Sequence, residues 1–303
     1  MSTDPGVGAA AAPSGTTFER ATAVRPGGEG RWTADVDPGW EAPTGPNGGY
    51  LAALLVRALE AEVAPEGDRV VRSLTVHYLR TARTAPLDLE VRLVRAGRRT
   101  ASATVTGRQE GREVLLGLAA FSARGLEAPA TWTRTPPDAG PPPDAGVAEV
   151  PVDRYRRDAA AWIAPIPGTP PIVRQLRMSP RLGGLPFSGR LPADGRGVET
   201  GGWIGSPEDQ PLDAAYLAQL TDFWWPPSFE AVDHPVMAPT IDLTIHLRAD
   251  LPPGGLAAAP VLGVFRSTTA QGGLVEEDAE LFHPDGTLLA QSRQLALLAP
   301  VPS

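Results

Sequence analysis

Two chemically important residue types are absent from this 303-residue chain, which has no cysteine and no lysine. Without cysteine there are no disulfides, no thiolate metal ligands and no cysteine nucleophile. Without lysine there is no Schiff-base chemistry and no lysine of a phosphate-binding loop. All 27 basic residues are therefore arginines, and several classes of enzyme are removed from consideration.

Histidine is scarce. The chain has four histidines, at positions 77, 234, 246 and 283. They are widely scattered and show no HExxH or similar spacing, which a histidine-based metal site would require. The sequence therefore implies no metal and no redox cofactor.

Long apolar runs are also missing, since no stretch approaches the roughly 20 residues that span a bilayer. The net charge of −8 argues against nucleic acid or an anionic membrane as the main partner. Residues 1–17 are small and polar and lack the basic start and apolar segment of a signal peptide. We therefore expect a soluble, cytoplasmic protein with a disordered leader over residues 1–17.

The first half combines one apolar helix with several strands. Asn47 is a candidate cap, Gly48 and Gly49 follow it, and the apolar residues after them predict a buried helix that ends near residue 65. Strands are predicted over the following ranges: 69–82, 87–95, 98–109 and 113–124. One helix followed by four antiparallel strands predicts a sheet wrapped around a helix, which we assign to an N-terminal domain of residues 18–127.

The second half repeats this order after a segment of residues 128–184, which is read as a proline-rich linker and packing segment. A helix is predicted from Pro211 to about Asp222. Strands are then predicted over these ranges: 240–248, 259–267, 274–283 and 288–298. We assign residues 185–303 to a C-terminal domain.

A short internal repeat links the halves. The sequence Leu-Thr-Val-His that starts at Leu74 corresponds to Leu-Thr-Ile-His that starts at Leu243. Each copy lies after a predicted helix and before three further strands, which indicates an internal duplication.

Asp222 lies in an apolar setting, with two tryptophans and two prolines within the next five residues. A carboxylate held among apolar side chains has a raised pKa and is a candidate general base. The alternative is an aspartate that only caps a helix end or turn.

These motifs together resemble the TesB-like acyl-CoA thioesterases. The likeness rests in the first half on Gly48-Gly49, on the strand that contains His77, and on the hairpin around Gly97. In the second half it rests on three segments: Thr221-Asp222 with the aromatic residues and Pro226, Pro239-Thr240-Ile241-Asp242, and Leu289 to Gln294. The resemblance implies an α+β double hotdog, in which two antiparallel sheets, each wrapped around a long apolar helix, join into one continuous sheet.

The resemblance also implies a catalytic trio of Asp222, Thr240 and Gln294 that holds and activates a water. Thioester hydrolysis needs a water, a base for its proton and donors for the oxyanion. Strand alternation places Thr240 on the same face as Asp242, Thr244 and His246. Taken alone, Thr240 is better explained as an ordinary strand residue, and Gln294 as either a buried, bonded amide or a solvated one.

Four further residues are candidates for substrate binding. Gly48 and Gly49 start the first helix, whose N-terminus suits a thioester carbonyl, although tight packing of the helix also explains them. Trp224 and Trp225 are candidates for the wall of an acyl pocket or for the core. His77 and His246 occupy corresponding positions, which favours structural roles over that of a base.

The function that follows is an acyl-CoA thioesterase, which releases a free acid and CoA. A carrier-protein thioesterase and a non-catalytic acyl-thioester-binding or scaffold protein remain as alternatives. A hotdog hydratase is disfavoured, because the nearest histidine that follows Asp222 is His234. The expected partner is an acyl-CoA or another acyl thioester, and both a monomer and a homo-oligomer remain open.

Overall fold

A computed structural model describes residues 15–143, 147–148, 162–163, 169–192 and 195–301. Most of the predicted leader lies outside these residues, as does much of the 128–184 segment. The part of the leader that is described is not disordered, because Thr16 caps a helix that begins at Thr17. The side chain of Thr17 also bonds Glu208, which fixes this end of the chain to the second half.

The described part of the first half contains two α-helices and eight strands. The helices are α1 (Thr17–Ala21) and α2 (Gly48–Val63). The strands are β1 (Val24–Gly28), β2 (Arg31–Asp35), β3 (Glu41–Ala42), β4 (Gly45–Pro46), β5 (Arg69–Tyr78), β6 (Pro86–Ala96), β7 (Thr100–Gln109) and β8 (Arg112–Ala123).

The second part of the chain repeats the pattern with shorter helices. The helices are α3 (Ala214–Leu220) and α4 (Ser228–Ala231). The strands are β9 (Val147–Ala148), β10 (Trp162–Ile163), β11 (Arg177–Leu182), β12 (Val198–Gly205), β13 (Val236–Met237), β14 (Thr240–Leu247), β15 (Val261–Ser267), β16 (Ala270–Gln271), β17 (Leu274–Phe282), β18 (Leu288–Leu297) and β19 (Ala299–Pro300).

Two of these elements differ from the sequence-based prediction. The predicted helix from Pro211 is shorter, because Asp213 caps α3 and the helix ends at Leu220. Residues 177–182, predicted as part of the linker, form β11 and pair with β12 in the main sheet. The described residues of the 128–184 segment therefore contribute β9, β10 and β11 to the sheet, as well as a connection.

Among the described residues, fifteen strands form one continuous sheet. Fourteen of them follow the order β1-β2-β6-β7-β8-β5-β14-β18-β17-β15-β12-β11-β10-β9, and β16 pairs with β17. The pairs are antiparallel except for β9 with β10, which run parallel. The two halves meet where β5 pairs with β14, so the sheet continues from one half into the other without a break.

The repeated segments lie directly against each other at this junction. Thr75 pairs with Thr244, the residue that corresponds to it in the repeat, and their hydroxyl oxygens are 3.1 Å apart. On either side, Leu74 pairs with Ile245 and Val76 with Leu243. A local twofold axis therefore passes between the two threonines and relates the paired segments.

The helices α2 and α3 pack side by side on the core face of the sheet. Asn47 caps α2, and apolar residues occupy most sides of this helix, ten of whose residues are buried. All seven residues of α3 are buried. A helix that is apolar on all sides is stable only inside a core, and the sheet supplies that environment on one side of both helices. Within the described part of the chain, no helix has both the length and the apolar character that a bilayer crossing requires.

Candidate active site

Asp222 lies two residues beyond the end of α3, where the chain is still turning. Its N–H donates to the carbonyl of Gln219 at 3.3 Å, and the hydroxyl of Thr221 donates to the carbonyl of Ala218 at 2.8 Å. Pro226 and Pro227 follow and prevent the helix from continuing without a break. The carboxylate is thus fixed at a helix end, but it is also held by the first half of the chain, so it does more than terminate a turn.

Three groups donate hydrogen bonds to this carboxylate. Oδ2 accepts from the N–H of Gly49 at 2.9 Å and from Nδ2 of Asn47 at 3.1 Å. Oδ1 accepts from Nε2 of Gln294 at 3.1 Å. The first two donors belong to the start of α2 and the third to β18, so Asp222 joins the two helices to the sheet.

Asn47 has two roles, of which the sequence indicated one. Its Oδ1 accepts from the N–H of Tyr50 at 3.0 Å, as expected of a helix cap. Its Nδ2 also donates to the backbone carbonyl of Asp222 at 2.8 Å, in addition to the carboxylate. Asn47 is the only asparagine in the chain. Its rarity and its position directly before Gly48-Gly49 are the sequence features that could have indicated this second role.

Gly48 and Gly49 are required by close packing against α3. A Cβ on Gly49 would lie 2.6 Å from the carbonyl oxygen of Gln219, and one on Gly48 would lie 2.9 Å from Oδ2 of Asp222. Such distances are shorter than van der Waals contact, so a side chain at either position would push the two helices apart. Packing therefore accounts for both glycines, and it also brings the positive end of α2 to Asp222.

A β-bulge decides the position of Thr240. The pairing of β14 with β18 shifts between Thr240 and Asp242, so that Thr240 lies opposite Ala296 and Leu243 opposite Gln294. Thr240 consequently shares the inner face with Gln294, and its hydroxyl donates to Oε1 of Gln294 at 2.7 Å. The sequence-based assignment of Thr240 to the face of Asp242, Thr244 and His246 was wrong, because alternation assumes a regular strand.

The trio is thus connected through its central amide. Gln294 is 5% exposed, accepts from Thr240 and donates to Asp222, so both ends of its amide are used. The alternative of a solvated glutamine is excluded. The structure therefore brings together all three residues that the sequence singled out.

Burial governs the electrostatics of Asp222. Desolvation raises its pKa to about 6, and the hydrogen bonds from Gly49, Gln294 and Asn47 limit this rise. Asp222 as a whole residue is half-buried, and the raised pKa makes its carboxylate a stronger base than usual. A general base works best when its pKa lies near the working pH.

Tyr78 also lies beside the site, although nothing in the sequence indicated a role for it there. Its hydroxyl donates to the carbonyl of Gly48 at 2.7 Å, which fixes the start of α2. Burial, with the charges of Asp222 and Asp242, raises the pKa of the Tyr78 hydroxyl, so it stays protonated as a donor.

The two tryptophans occupy different environments. Trp224 is 3% exposed, stacks on Phe265 with ring centroids 6.0 Å apart and donates its N–H to Thr200 at 3.1 Å. It therefore belongs to the core. Trp225 is partly buried, with its ring centroid 4.7 Å from that of Trp224. Of the two, only Trp225 has a surface that a substrate could contact.

The position related by the local twofold axis lacks the trio. The register that matches Thr75 to Thr244 also matches Val71 to Thr240 and Ala119 to Gln294. A cavity of about 100 Å³ does lie at this second seam, between Arg57 and Glu60 of α2 and Asp213 at the start of α3. The three linked polar groups are therefore found at one seam and not at the other.

Comparison with known proteins identifies the class. Residues 36–122 match the family model for the acyl-CoA thioesterase N-terminal domain, and residues 137–298 match the model for the C-terminal domain of the same family. No curated protein matches the chain significantly.

Solved structures agree over nearly the whole length. A conserved protein of unknown function with a hot dog fold from Alicyclobacillus acidocaldarius is 27% identical, with a TM-score of 0.75 over 95% of this chain and 100% of that one. A proposed thioesterase II from Thermobifida fusca is 28% identical, with a TM-score of 0.70 over 94% and 98%. Acyl-CoA thioesterase II TesB2 from Mycobacterium marinum is 18% identical, with a TM-score of 0.66 over 95% and 99%, a likeness of fold.

The large antiparallel sheet with few helices therefore places the chain among hotdog-fold proteins. Within that class it belongs to the acyl-CoA thioesterase family, and it is a thioester hydrolase.

Proposed function

We propose that the chain hydrolyses acyl-CoA thioesters with a water that Asp222, Thr240 and Gln294 hold. The observation that carries this proposal is the continuous chain of hydrogen bonds from Thr240 through Gln294 to Asp222. A hydroxyl, an amide and a carboxylate arranged in this way can orient one water by accepting and donating at the same time.

The chemistry follows from these groups. Asp222 accepts a proton from the water as the water oxygen attacks the thioester carbonyl carbon, and negative charge develops on the carbonyl oxygen. The positive end of α2 at Gly48 and Gly49 favours that charge. When the tetrahedral intermediate collapses, the C–S bond breaks, the thiolate leaves and the proton on Asp222 returns to it. The products are a carboxylic acid and free CoA.

The N-terminus of α2 interacts with the proposed base, Asp222, itself. The Gly49 N–H donates to Asp222, which favours the ionised form that can accept a proton. We infer that the thioester carbonyl enters the same positive field beside this bond. Trp225, which keeps an accessible surface, is our candidate for a wall of the acyl pocket, whereas Trp224 supports it from the core.

The architecture around the site supports a double hotdog. Helix α2 packs on β5, β6 and β7, while α3 packs on β14 and β18. We infer that these are the central helices of two hotdog units, and that residues 18–127 and 185–303 contain them, with β11 added to the second unit from the preceding segment. The trio then lies at one of the two seams between the units.

The test is release of thiol from a panel of acyl-CoA chain lengths. Because the chain has no cysteine, a thiol reagent reports only the released CoA. We expect Asp222→Asn to lower kcat by at least about 100-fold, the usual scale for loss of a general base. Asp233→Asn, which removes an exposed aspartate, is the matched control and should keep the parent rate.

Two outcomes would contradict the proposal. One is an Asp222→Asn variant that turns over acyl-CoA at the parent rate. The other is an absence of thiol release across the panel when acyl groups on a carrier protein are hydrolysed, which would assign the same site to a different thioester.

A further inference from the structure

Glu277 is a buried carboxyl group that the proposed mechanism does not use. It lies on β17 directly opposite Gln294 of β18, and it is 6% exposed. Residues that are paired across antiparallel strands project to the same face, so Glu277 and Gln294 share the inner face. Asp222, Gln294 and Glu277 therefore form a row with the amide between two carboxyl groups.

The surroundings of Glu277 disfavour its charge. Burial raises its pKa well above the usual range, and the nearby charge of Asp222 raises it further. Asp278 and Glu276, its neighbours on the same strand, act in the same direction, while a hydrogen bond from Gln294 opposes them. On β18, the strand that pairs with β17 at this position, the facing residue is the uncharged Gln294.

Asp222 and Glu277 both neighbour Gln294, and the charge of Asp222 acts on Glu277, so the two titrate as a pair in which the proton stays with the more strongly desolvated group. Hydrogen bonds from Gly49, Asn47 and Gln294 favour the ionised form of Asp222, whereas Glu277 is 6% exposed and burial raises its pKa. Near neutral pH, Asp222 is thus ionised while Glu277 keeps its proton. This order is the one that the reaction needs, because the base must be ionised.

We propose that Glu277 is a positioning residue for hydrolysis: it remains protonated while Asp222 is ionised, and its neutral carboxyl group accepts a hydrogen bond from the Gln294 amide. This bond fixes the orientation in which Gln294 donates to Asp222 and accepts from Thr240. The inference rests on the proposed function, because it assigns Glu277 a part in that same site.

A direct consequence concerns alkaline pH. When Glu277 loses its proton, a second negative charge forms beside Asp222, and the carboxylate draws the amide of Gln294 to itself. The donor to Asp222 weakens and the water loses its orientation. Activity should therefore fall on the alkaline side as Glu277 ionises.

Two variants distinguish a positioning role of Glu277 from a role that depends only on the volume of its side chain. Glu277→Gln keeps the shape and a neutral acceptor, whereas Glu277→Val removes the acceptor. We expect Glu277→Gln to stay within about twofold of the parent kcat near neutral pH and to lose the alkaline decline, and Glu277→Val to lose at least about tenfold in kcat with little change in KM. Asp233→Asn, which changes an exposed aspartate, is the control and should keep the parent profile.

An alkaline decline that persists in Glu277→Gln would overturn the proposal. So would an acid limb that moves to lower pH in this variant, because it would show that Glu277 is already charged when Asp222 titrates.

Infrared difference spectroscopy gives a readout that does not depend on turnover. A protonated-carboxyl band should be present in the parent near neutral pH, persist in Asp222→Asn and be absent from Glu277→Gln. If this band is absent from the parent, Glu277 is not protonated, and the proposal for Glu277 is overturned even if the Asp222→Asn variant is inactive. Conversely, a band with these properties in a protein that hydrolyses no acyl-CoA would contradict the proposed function alone.

Discussion

The hydroxyl of Thr240 donates to Oε1 of Gln294 at 2.7 Å because one extra residue in β14 turns the threonine to the inner face. With that acceptor occupied, the nitrogen end of the amide faces Asp222 and donates to Oδ1. Thr240 therefore determines that the nitrogen end of the Gln294 amide, and not its oxygen, faces Asp222.

Replacement of Gln294 by leucine should remove the link between the strand and the base. Asp222 loses a donor that favours its ionised form, so its pKa should rise and the water should lose a contact. We expect kcat to fall by about 100-fold, measured by thiol release. Gln291→Leu on the same strand is the control, and equal losses in both variants would show that the effect is structural.

Replacement of Thr240 by valine should have a smaller effect. The side chain keeps its volume but can no longer donate, so the amide of Gln294 can turn over. We expect kcat to fall by about tenfold with little change in KM, as for loss of a single orienting hydrogen bond. Thr244→Val on the same strand should stay near the parent. Unchanged kcat in Thr240→Val would remove Thr240 from the site.

Deletion of Ile241 tests the bulge itself. Without the extra residue, β14 would pair regularly, and Thr240, now next to Asp242, would still lie opposite Ala296 on the inner face. A folded deletion variant should therefore keep a kcat near that of the parent, unlike Thr240→Val, with circular dichroism and a melting curve to confirm folding. A folded deletion variant that is as impaired as Thr240→Val would contradict the role given to the bulge.

The rate should depend on pH through Asp222. Its pKa is raised to about 6, so kcat/KM should fall below this pH as the base becomes protonated. The acid limb of the profile is the measurement. Asn47→Ser keeps an oxygen that can cap α2 but removes Nδ2, so its acid limb should move to higher pH while the stability changes little. A limb that stays in place would show that Asn47 only caps the helix.

Stability should change with pH in the opposite sense to activity. The folded-state pKa of Asp222 is higher than its ordinary value of 3.8, so the folded state binds more protons between the two. The resulting stabilisation is complete below the ordinary value and is lost as the pH rises through about 6. Asp222→Asn should therefore be more stable than the parent by about 1–3 kcal/mol above neutral pH, and no more stable at low pH. Denaturant unfolding at both pH values is the measurement, and equal differences at the two would contradict this account.

Much of the fold could be read from local sequence patterns. Strands β5 to β8, β14, β15, β17 and β18 all lie within a few residues of their predicted bounds, because period-two alternation and glycine turns are local signals. The buried α2 followed from its apolar residues and its cap. The repeat around Thr75 and Thr244 also followed from the sequence, although their direct pairing did not. The choice of Asp222, Thr240 and Gln294 came from resemblance to a family, since no spacing in the chain connects residues so far apart.

The sequence by itself determined which groups are available: a carboxylate in an apolar stretch, a capped apolar helix that begins with two glycines, and two similar halves. Tertiary structure alone decided which groups meet. The bulge that reverses Thr240, the second role of Asn47 and the position of Glu277 behind Gln294 all depend on strand register and helix packing. These features join residues far apart in the chain, and the energies that fix them come from burial and hydrogen bonds that do not exist until the sheet has formed.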